Sequence, residues 1–123
     1  MDLPTGLTLF VYGTLMPGQG QAARLGPLLS AIPAQTAGRL YHLPAGYPAL
    51  VDDPASVVYG VVVVVAEPAR LLALDAYEGS LYHREPCRAL TPDGPVEAWC
   101  WRVHASDLPA GARLLPDGRW SGA

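Results

Sequence analysis

The stretch that decides the fold is VVYGVVVVVA, at residues 57–66. It is apolar on both faces and rich in β-branched valine, which is typical of a central strand covered on both sides. Gly60 interrupts the run, and a glycine inside a strand indicates a bulge or the close approach of another backbone. Because the run is about half as long as a membrane-spanning helix requires, we interpret it as the middle of a folded sheet.

Weaker strand patterns lie before and after this run. The 13 glycines and 13 prolines indicate short elements joined by tight turns. Helices are expected at residues 21–29 and 68–78, the second with Pro68 in its first turn and Gly79 just past its end. Many strands and few helices favour an α+β fold, in which a small closed or half-closed β-barrel carries short flanking helices. The predicted strands are residues 7–12, 34–42, 47–51, 57–66, 82–90 and 96–103.

The last two predicted strands form a hairpin with Asp93-Gly94 at the centre of its turn. A charge pair and a cation–aromatic pair across the two strands support the register. Two cysteines also face each other, and they are either close enough to bridge or remain as reduced core thiols, which a cytosolic chain favours. The predicted register pairs Cys87 with Cys100, Glu85 with Arg102, and Arg88 with Trp99.

Composition excludes several classes of function. All positive charge comes from eight arginines, set against 11 acidic residues for a net charge of −3, and no lysine is available for a Schiff base or a nucleotide-phosphate loop. An acidic chain without a basic cluster is a poor candidate for binding nucleic acid. The histidines lack metal-binding spacing, so no metal is expected. Two cysteines and no signal-peptide pattern favour a cytoplasmic location with no membrane segment.

A tight turn follows the first predicted strand, at Tyr12-Gly13-Thr14-Leu15. Glycine at a strand end allows the backbone to turn sharply and to approach a ligand. Consecutive N–H groups in such a turn form an anion-binding concavity. Because no lysine accompanies the loop, a carboxylate or a developing oxyanion suits it better than a nucleotide phosphate. The residues alone leave open an ordinary strand-to-helix turn.

Glu78 ends the second predicted helix on the same face as Leu71 and Leu74, because the three recur at i, i+3 and i+7. This apolar face is expected to turn inward. Burial and the negative end of the helix dipole both raise the pKa of a carboxyl. Such effects move a glutamate from ~4.3 toward the ~6–7 that suits a general base. The alternative is a solvated carboxylate in a fraying last turn.

Four further polar residues lie near Glu78 in the sequence. We interpret His83 as a surface or rim histidine. Tyr82 is either a hydroxyl donor to a ligand or a half-buried strand aromatic. Arg84 is expected to hold Glu78, a substrate carboxylate or a structural ion-pair partner. Asp75 is interpreted as a group that caps or orients its neighbours, not as a catalyst.

Four segments of the chain stand out together, and they are VYGTL at 11–15, GYPAL at 46–50, LDAYEG at 74–79 with YHR at 82–84, and GRW at 118–120. In this order they resemble the γ-glutamylcyclotransferase family, including its AIG2-like members from plants and bacteria. The YGTL and GYPA forms favour the γ-glutamylamine and AIG2-like branch. Because the matches extend over nearly the whole chain, we expect it to be one domain (1–123).

The resemblance implies a mixed α+β fold built on a small barrel, with a cavity at one end that takes a γ-glutamyl group. It implies that Glu78 is the general acid/base. The α-amine of a γ-glutamyl amine or peptide would attack its own γ-carbonyl and release 5-oxoproline, with no cofactor or metal. The substrate-binding residues expected on this basis are Tyr12, Gly13, Thr14, Leu15, Tyr47, Tyr82 and Arg84.

Two alternatives keep the same cavity. Met16-Pro17 stands where many family members carry a basic residue. This difference motivates a binding module for a γ-glutamyl group or small anion, with little turnover. The other alternative is an enzyme that trims a γ-glutamyl group from a larger biosynthetic intermediate. The expected partner is in each case a small molecule, not nucleic acid or membrane, and the sequence makes no prediction of oligomeric state.

Overall fold

The computed structural model describes residues 6–120, in which strands predominate. One α-helix, Leu71–Glu78 (α1), and 3₁₀ turns at Ala22–Leu25, Pro68–Arg70 and Ala105–Asp107 make up the helical part of this range. The strands in chain order are Leu7–Val11 (β1), Leu28–Ala37 (β2), Arg39–His42 (β3), Pro48–Val51 (β4), Val57–Val65 (β5), His83–Thr91 (β6), Gly94–Arg102 (β7) and Arg113–Leu115 (β8).

Five of the strands found between residues 6 and 120 close into a barrel in the order β1-β5-β2-β6-β7. Neighbours are antiparallel except for β1 and β7, which pair in parallel at Leu9 and Trp99. The remaining strands form a small sheet in the order β4-β3-β8. The Val103 N–H, just beyond β7, donates to the Leu50 carbonyl of β4 and joins the two sheets. The predicted α+β barrel with short helices is confirmed.

Strand β5 is central, as its sequence predicts, because β1 pairs along one of its edges and β2 along the other. Its two faces serve two different cores. Val58 packs with Phe10 in one cluster, whereas Val63 packs with Leu74 of α1 in another. Burial on both faces explains why this strand lacks the alternation of apolar and polar residues seen in half-exposed strands.

Two glycines are required by close packing. A Cβ at Gly60 would overlap the carbonyl oxygen of Val11, so the close backbone approach expected there is confirmed. A Cβ at Gly38 would overlap the side chain of Leu50. The single strand predicted at residues 34–42 is therefore wrong, because the chain bends at this glycine and passes from β2 in the barrel to β3 in the small sheet.

The helix predicted at residues 21–29 is also wrong. Only a short 3₁₀ turn forms, and it ends at Gly26, which has a φ of 67°. Leu28 already belongs to β2 and pairs with Val65 of β5. The strand pairing outweighs the helical spacing of the leucines, and Leu29 is left 57% exposed.

The second predicted helix is confirmed, as the 3₁₀ turn Pro68–Arg70 followed directly by α1. Gly79 follows its last residue with a φ of 85°, which glycine adopts without strain. Its N–H donates to the Asp75 carbonyl and closes the last turn. No helix in the described part of the chain is long and apolar enough to cross a membrane.

The β6–β7 hairpin forms with a register two residues away from the predicted one. Its loop is Pro92-Asp93, not Asp93-Gly94, and the Thr91 hydroxyl secures it by donating to the Gly94 carbonyl and accepting the Asp93 N–H. A shift of two keeps each side chain on its predicted face, so both cysteines are buried, and both are free thiols. The observed pairs are Cys87 with Ala98, Glu85 with Cys100, and Arg88 with Glu97.

Candidate active site

A cavity of about 150 Å³ lies beyond the end of β1, between the turn that follows this strand, the end of α1 and the start of β4. It is small beside the roughly 300–1,000 Å³ of pockets that hold drug-sized ligands. Its lining is mostly apolar and aromatic, with one carboxyl group. The lining residues are Phe10, Val11, Tyr12, Gly13, Thr14, Leu15, Tyr47, Pro48, Tyr77, Glu78, Tyr82 and Trp101.

The turn at Gly13, Thr14 and Leu15 forms one wall of the cavity. Two of its carbonyls are engaged, because Gly13 accepts the Met16 N–H at 3.0 Å and Thr14 accepts the Gln21 N–H at 3.0 Å. Its own three N–H groups donate to no other group in residues 6–120. Consecutive unengaged amides are suited to an anion or an oxyanion. We name residues 13–15 the amide turn.

Gly13 is needed for a reason that the sequence does not reveal. A Cβ at this position would overlap the ring of Pro48, which starts β4 and lines the same cavity. The amide turn is therefore pressed against the small sheet. Glycine permits this contact between the two sheets, where any larger residue would push the turn away.

Glu78 projects into the cavity from the last position of α1. Leu74, one turn earlier, is buried in the cluster that covers the outside of the barrel, and this packing turns Glu78 inward as predicted. Burial, together with the smaller effect of the nearby charge of Asp75, raises the pKa of the Glu78 carboxyl to about 7. Within the described residues the carboxyl accepts no hydrogen bond from the protein, so it is available to a ligand.

Two tyrosine hydroxyls in the cavity wall are committed to the protein. The Tyr12 hydroxyl donates to the Trp101 carbonyl at 2.6 Å and accepts the Leu50 N–H at 3.3 Å. The Tyr82 hydroxyl donates to the Pro48 carbonyl at 2.6 Å. Burial raises the pKa of both phenols, which remain neutral. Of the two interpretations of Tyr82, the structure shows a half-buried aromatic whose hydroxyl hydrogen is already used.

A third hydrogen bond ties the two walls of the cavity together. The Thr14 and Tyr77 hydroxyl oxygens lie 2.7 Å apart, which joins the amide turn to α1 directly before Glu78. Tyr47 lines the cavity as expected and stays 50% exposed. The side of the cavity at Tyr47 therefore faces solvent.

Arg84 lies outside the cavity lining, so its predicted contact with substrate is not what the structure shows. Its Nε donates to Asp75 at 2.9 Å, and its guanidinium stacks over the Trp99 ring at 4.7 Å. Of the three roles expected for it, the structural ion pair is the one observed. His83 is exposed and packs against the His104 ring at 4.5 Å, away from the lining, as a surface histidine.

The sequence-based site prediction missed five lining residues, which are Phe10, Val11, Pro48, Tyr77 and Trp101. Trp101 reaches the cavity because β7 pairs in parallel with β1, an arrangement that no local pattern predicts. Tyr77 directly precedes Glu78 and carried no separate signal. Among residues 6–120, no three His, Cys, Asp or Glu side chains gather in a way that would hold a metal ion.

Comparison with solved structures shows where this architecture recurs. YkqA from Bacillus subtilis has a TM-score of 0.76 and 23% identity, over 94% of this chain and 39% of that one. An AIG2-like protein from Mus musculus has a TM-score of 0.75 and 22% identity, over 94% and 88% of the two chains. At3g28950.1 from Arabidopsis thaliana has a TM-score of 0.70 and 25% identity, over 98% and 73%.

These similarities establish the fold, and the chain spans 39% of the length of the B. subtilis protein. A comparison with curated protein sequences found no match. A family model described as gamma-glutamyl cyclotransferase, AIG2-like, matches residues 9–122. This match covers the amide turn, the segment that carries Glu78 and the strands of the barrel. The chain therefore belongs to the gamma-glutamyl cyclotransferase, AIG2-like family.

Proposed function

We propose that the chain is an enzyme that releases 5-oxoproline from a γ-glutamyl amine or peptide. The observation that carries the proposal is that one small cavity is lined both by a sheltered carboxyl, Glu78, and by the amide turn, whose N–H groups are unengaged. The first is suited to move a proton and the second to stabilise a developing negative charge. Membership of the family supports this reaction class.

The reaction is intramolecular. The neutral form of the substrate α-amine forms a C–N bond to its own γ-carbonyl carbon. One of its two N–H protons passes to the ionised Glu78 carboxylate, and the carbonyl oxygen becomes an oxyanion at the amide turn. The oxyanion then re-forms the carbonyl, the bond to the leaving nitrogen breaks, and Glu78 returns the proton to that nitrogen. Atoms and charges balance without a cofactor. Holding both reacting groups in one geometry recovers roughly 7–11 kcal/mol of the barrier in favourable cases.

The pKa of Glu78 suits this role at neutral pH. An α-amino group titrates near ~7.7–8.0 in model peptides, and the Glu78 carboxyl has a pKa of about 7. Proton transfer between groups so closely matched is nearly balanced in free energy. An exposed glutamate near ~4.3 would hold the proton too weakly to accept it from the amine.

The shape of the cavity supports a small γ-glutamyl head group with an outward leaving group. The cavity volume of about 150 Å³ suits an amino-acid-sized group. We place the leaving amine toward Tyr47, where the lining is exposed. This arrangement accepts leaving groups of different size, including the larger biosynthetic intermediates. We further propose that the enzyme acts in the cytoplasm, where Cys87 and Cys100 would remain free thiols as they are here.

The test is 5-oxoproline release by wild type and by Glu78→Gln, from γ-glutamyl amines and γ-glutamyl peptides. Loss of a general acid/base removes about 10²–10⁴-fold of rate, so we expect a decrease of that size. Glu67→Gln is the matched control, because Glu67 is exposed and lies outside the cavity. Unchanged turnover by Glu78→Gln would refute the proposal. Saturable binding of the substrates to wild type without any product would instead assign a binding module.

A further inference from the structure

Asp75 joins three elements of the structure behind the cavity. It lies on α1 one turn before Glu78 and accepts the Trp101 Nε1–H from β7 at 2.9 Å. It also accepts the Arg84 Nε–H from β6 at 2.9 Å and 3.2 Å on its two oxygens. Asp75 itself is absent from the cavity lining, so its influence on the site passes through these partners.

Trp101 is the partner that lines the cavity. Its side chain is almost fully buried, with 4% of the residue exposed. Its carbonyl accepts the Tyr12 hydroxyl, and its indole N–H reaches Asp75. Two hydrogen bonds therefore hold Trp101: Tyr12, at the end of β1, binds its carbonyl, and Asp75 of α1 binds its indole N–H. Burial of an indole N–H without an acceptor is unfavourable, so Asp75 is a strong constraint on the ring.

We propose that Asp75 is a positioning residue of the active site, which holds the Trp101 indole as a cavity wall and fixes the end of α1 relative to β6 and β7. The inference rests on the proposed function, because Asp75 positions an active site only if Glu78 is the acid/base. It explains why a carboxylate stands at this position. A neutral side chain would neither pair with Arg84 nor place a negative charge next to the acid/base.

The charges around Glu78 make this role measurable. The Asp75 carboxylate adds to burial in raising the pKa of Glu78, and burial is the larger cause. Arg84 is paired with Asp75, so its positive charge partly compensates the negative charge that Asp75 presents to Glu78. Burial raises the pKa of the Tyr12 and Tyr82 phenols, so these two add no charge beside Glu78. Arg24 stacks over the Tyr77 ring. The other titratable and charged groups that face this region are Tyr12, Tyr47, Tyr77, Tyr82, Asp75 and Arg84.

Two substitutions should therefore move the Glu78 titration in opposite directions. Asp75→Asn removes the negative charge, so the midpoint should fall from about 7 but stay above 4.5, because burial remains. Arg84→Gln leaves Asp75 unopposed, so the midpoint should rise. Trp101→Phe keeps both charges and removes the indole N–H together with part of the ring. It should leave the midpoint in place and raise KM more than it lowers kcat.

The experiment is a ¹³C NMR titration of the Glu78 carboxyl in the full chain, together with pH profiles of 5-oxoproline release. Shifts of opposite sign for Asp75→Asn and Arg84→Gln support the proposal. Shifts of equal sign, or none, overturn it, since a merely structural residue would lower stability without this pattern. If Asp75→Asn does not fold, the other two variants test the proposal. A raised Glu78 midpoint in Arg84→Gln and a raised KM in Trp101→Phe support it, and the absence of both overturns it.

The titration needs no turnover, so the two proposals fail separately. Opposite shifts without 5-oxoproline from wild type would refute the proposed function and leave the placement of Asp75 supported. Release of 5-oxoproline by wild type, with an unmoved Glu78 midpoint in both charge variants, would refute the role of Asp75 and leave the function standing.

Discussion

Leu74 and Glu78 lie one turn apart on the same face of α1, yet their surroundings differ. Leu74 is 1% exposed and packs with Leu9 and Val63 against the outside of the barrel. Glu78 enters the cavity, where burial raises the pKa of its carboxyl to about 7. Burial stabilises the leucine and opposes the charge of the glutamate. The apolar first half of α1 therefore holds the acid in a place that the acid alone would not favour.

Removing the apolar anchor should have the largest effect on stability. Leu74→Ala should lower the free energy of unfolding by about 2–5 kcal/mol, because it leaves a cavity in a buried cluster. Leu72→Ala is the matched control, since Leu72 is 79% exposed on the same helix, and it should change stability by about 0.5 kcal/mol or less. Urea unfolding measures both. Equal losses in the two variants would show that α1 is not held by this face.

Replacing Glu78 by glutamine should show, through the pH dependence of the free energy of unfolding, that burial of the ionised carboxylate is unfavourable. The pKa of Glu78 is raised in the folded state from 4.5 to about 7. Its contribution to stability is thus fully present below pH 4.5 and is lost as pH rises through about 7. Relative to Glu78→Gln, wild type should lose up to roughly 3 kcal/mol over that interval. Urea unfolding at several pH values tests this. A difference that does not change with pH would mean that the carboxyl is solvated.

Breaking the bond between the helix and the amide turn should have the smallest effect on stability. Thr14→Val and Tyr77→Phe each remove one partner of the 2.7 Å hydrogen bond and should each lower stability by about 1 kcal/mol. The double variant should lose less than the sum, because both changes remove the same bond. Turnover should fall in all three as the turn and Glu78 move apart. Strictly additive losses would show that the two hydroxyls are not coupled.

The sequence was sufficient to predict the elements whose burial follows from the pattern of their own residues. The valine run at residues 57–66 became the central strand of the barrel, and the spacing of Leu71 and Leu74 placed Glu78 on the inward face of its helix. The amide turn could be located because a glycine directly follows an apolar strand. In each case one short segment contains both the pattern and its cause.

The parts that could not be predicted depend on contacts between distant segments. Trp101 reaches the cavity only through the parallel pairing that closes the barrel, and Arg84 is drawn to Asp75 rather than to the cavity. The hairpin register was wrong because several two-residue turns fit its Pro-Asp-Gly-Pro sequence. Gly38 was not recognised as a bend, since its reason is the distant side chain of Leu50.

The pH dependence of kcat/KM for 5-oxoproline release by wild type tests most directly whether the sheltered Glu78 carboxyl moves the proton. We expect the lower arm of the profile to rise with pH through a midpoint at about 7, the pKa of this group in the cavity. A lower arm with its midpoint near ~4.3, the value of a glutamate in water, or activity that does not change across this range, would contradict it.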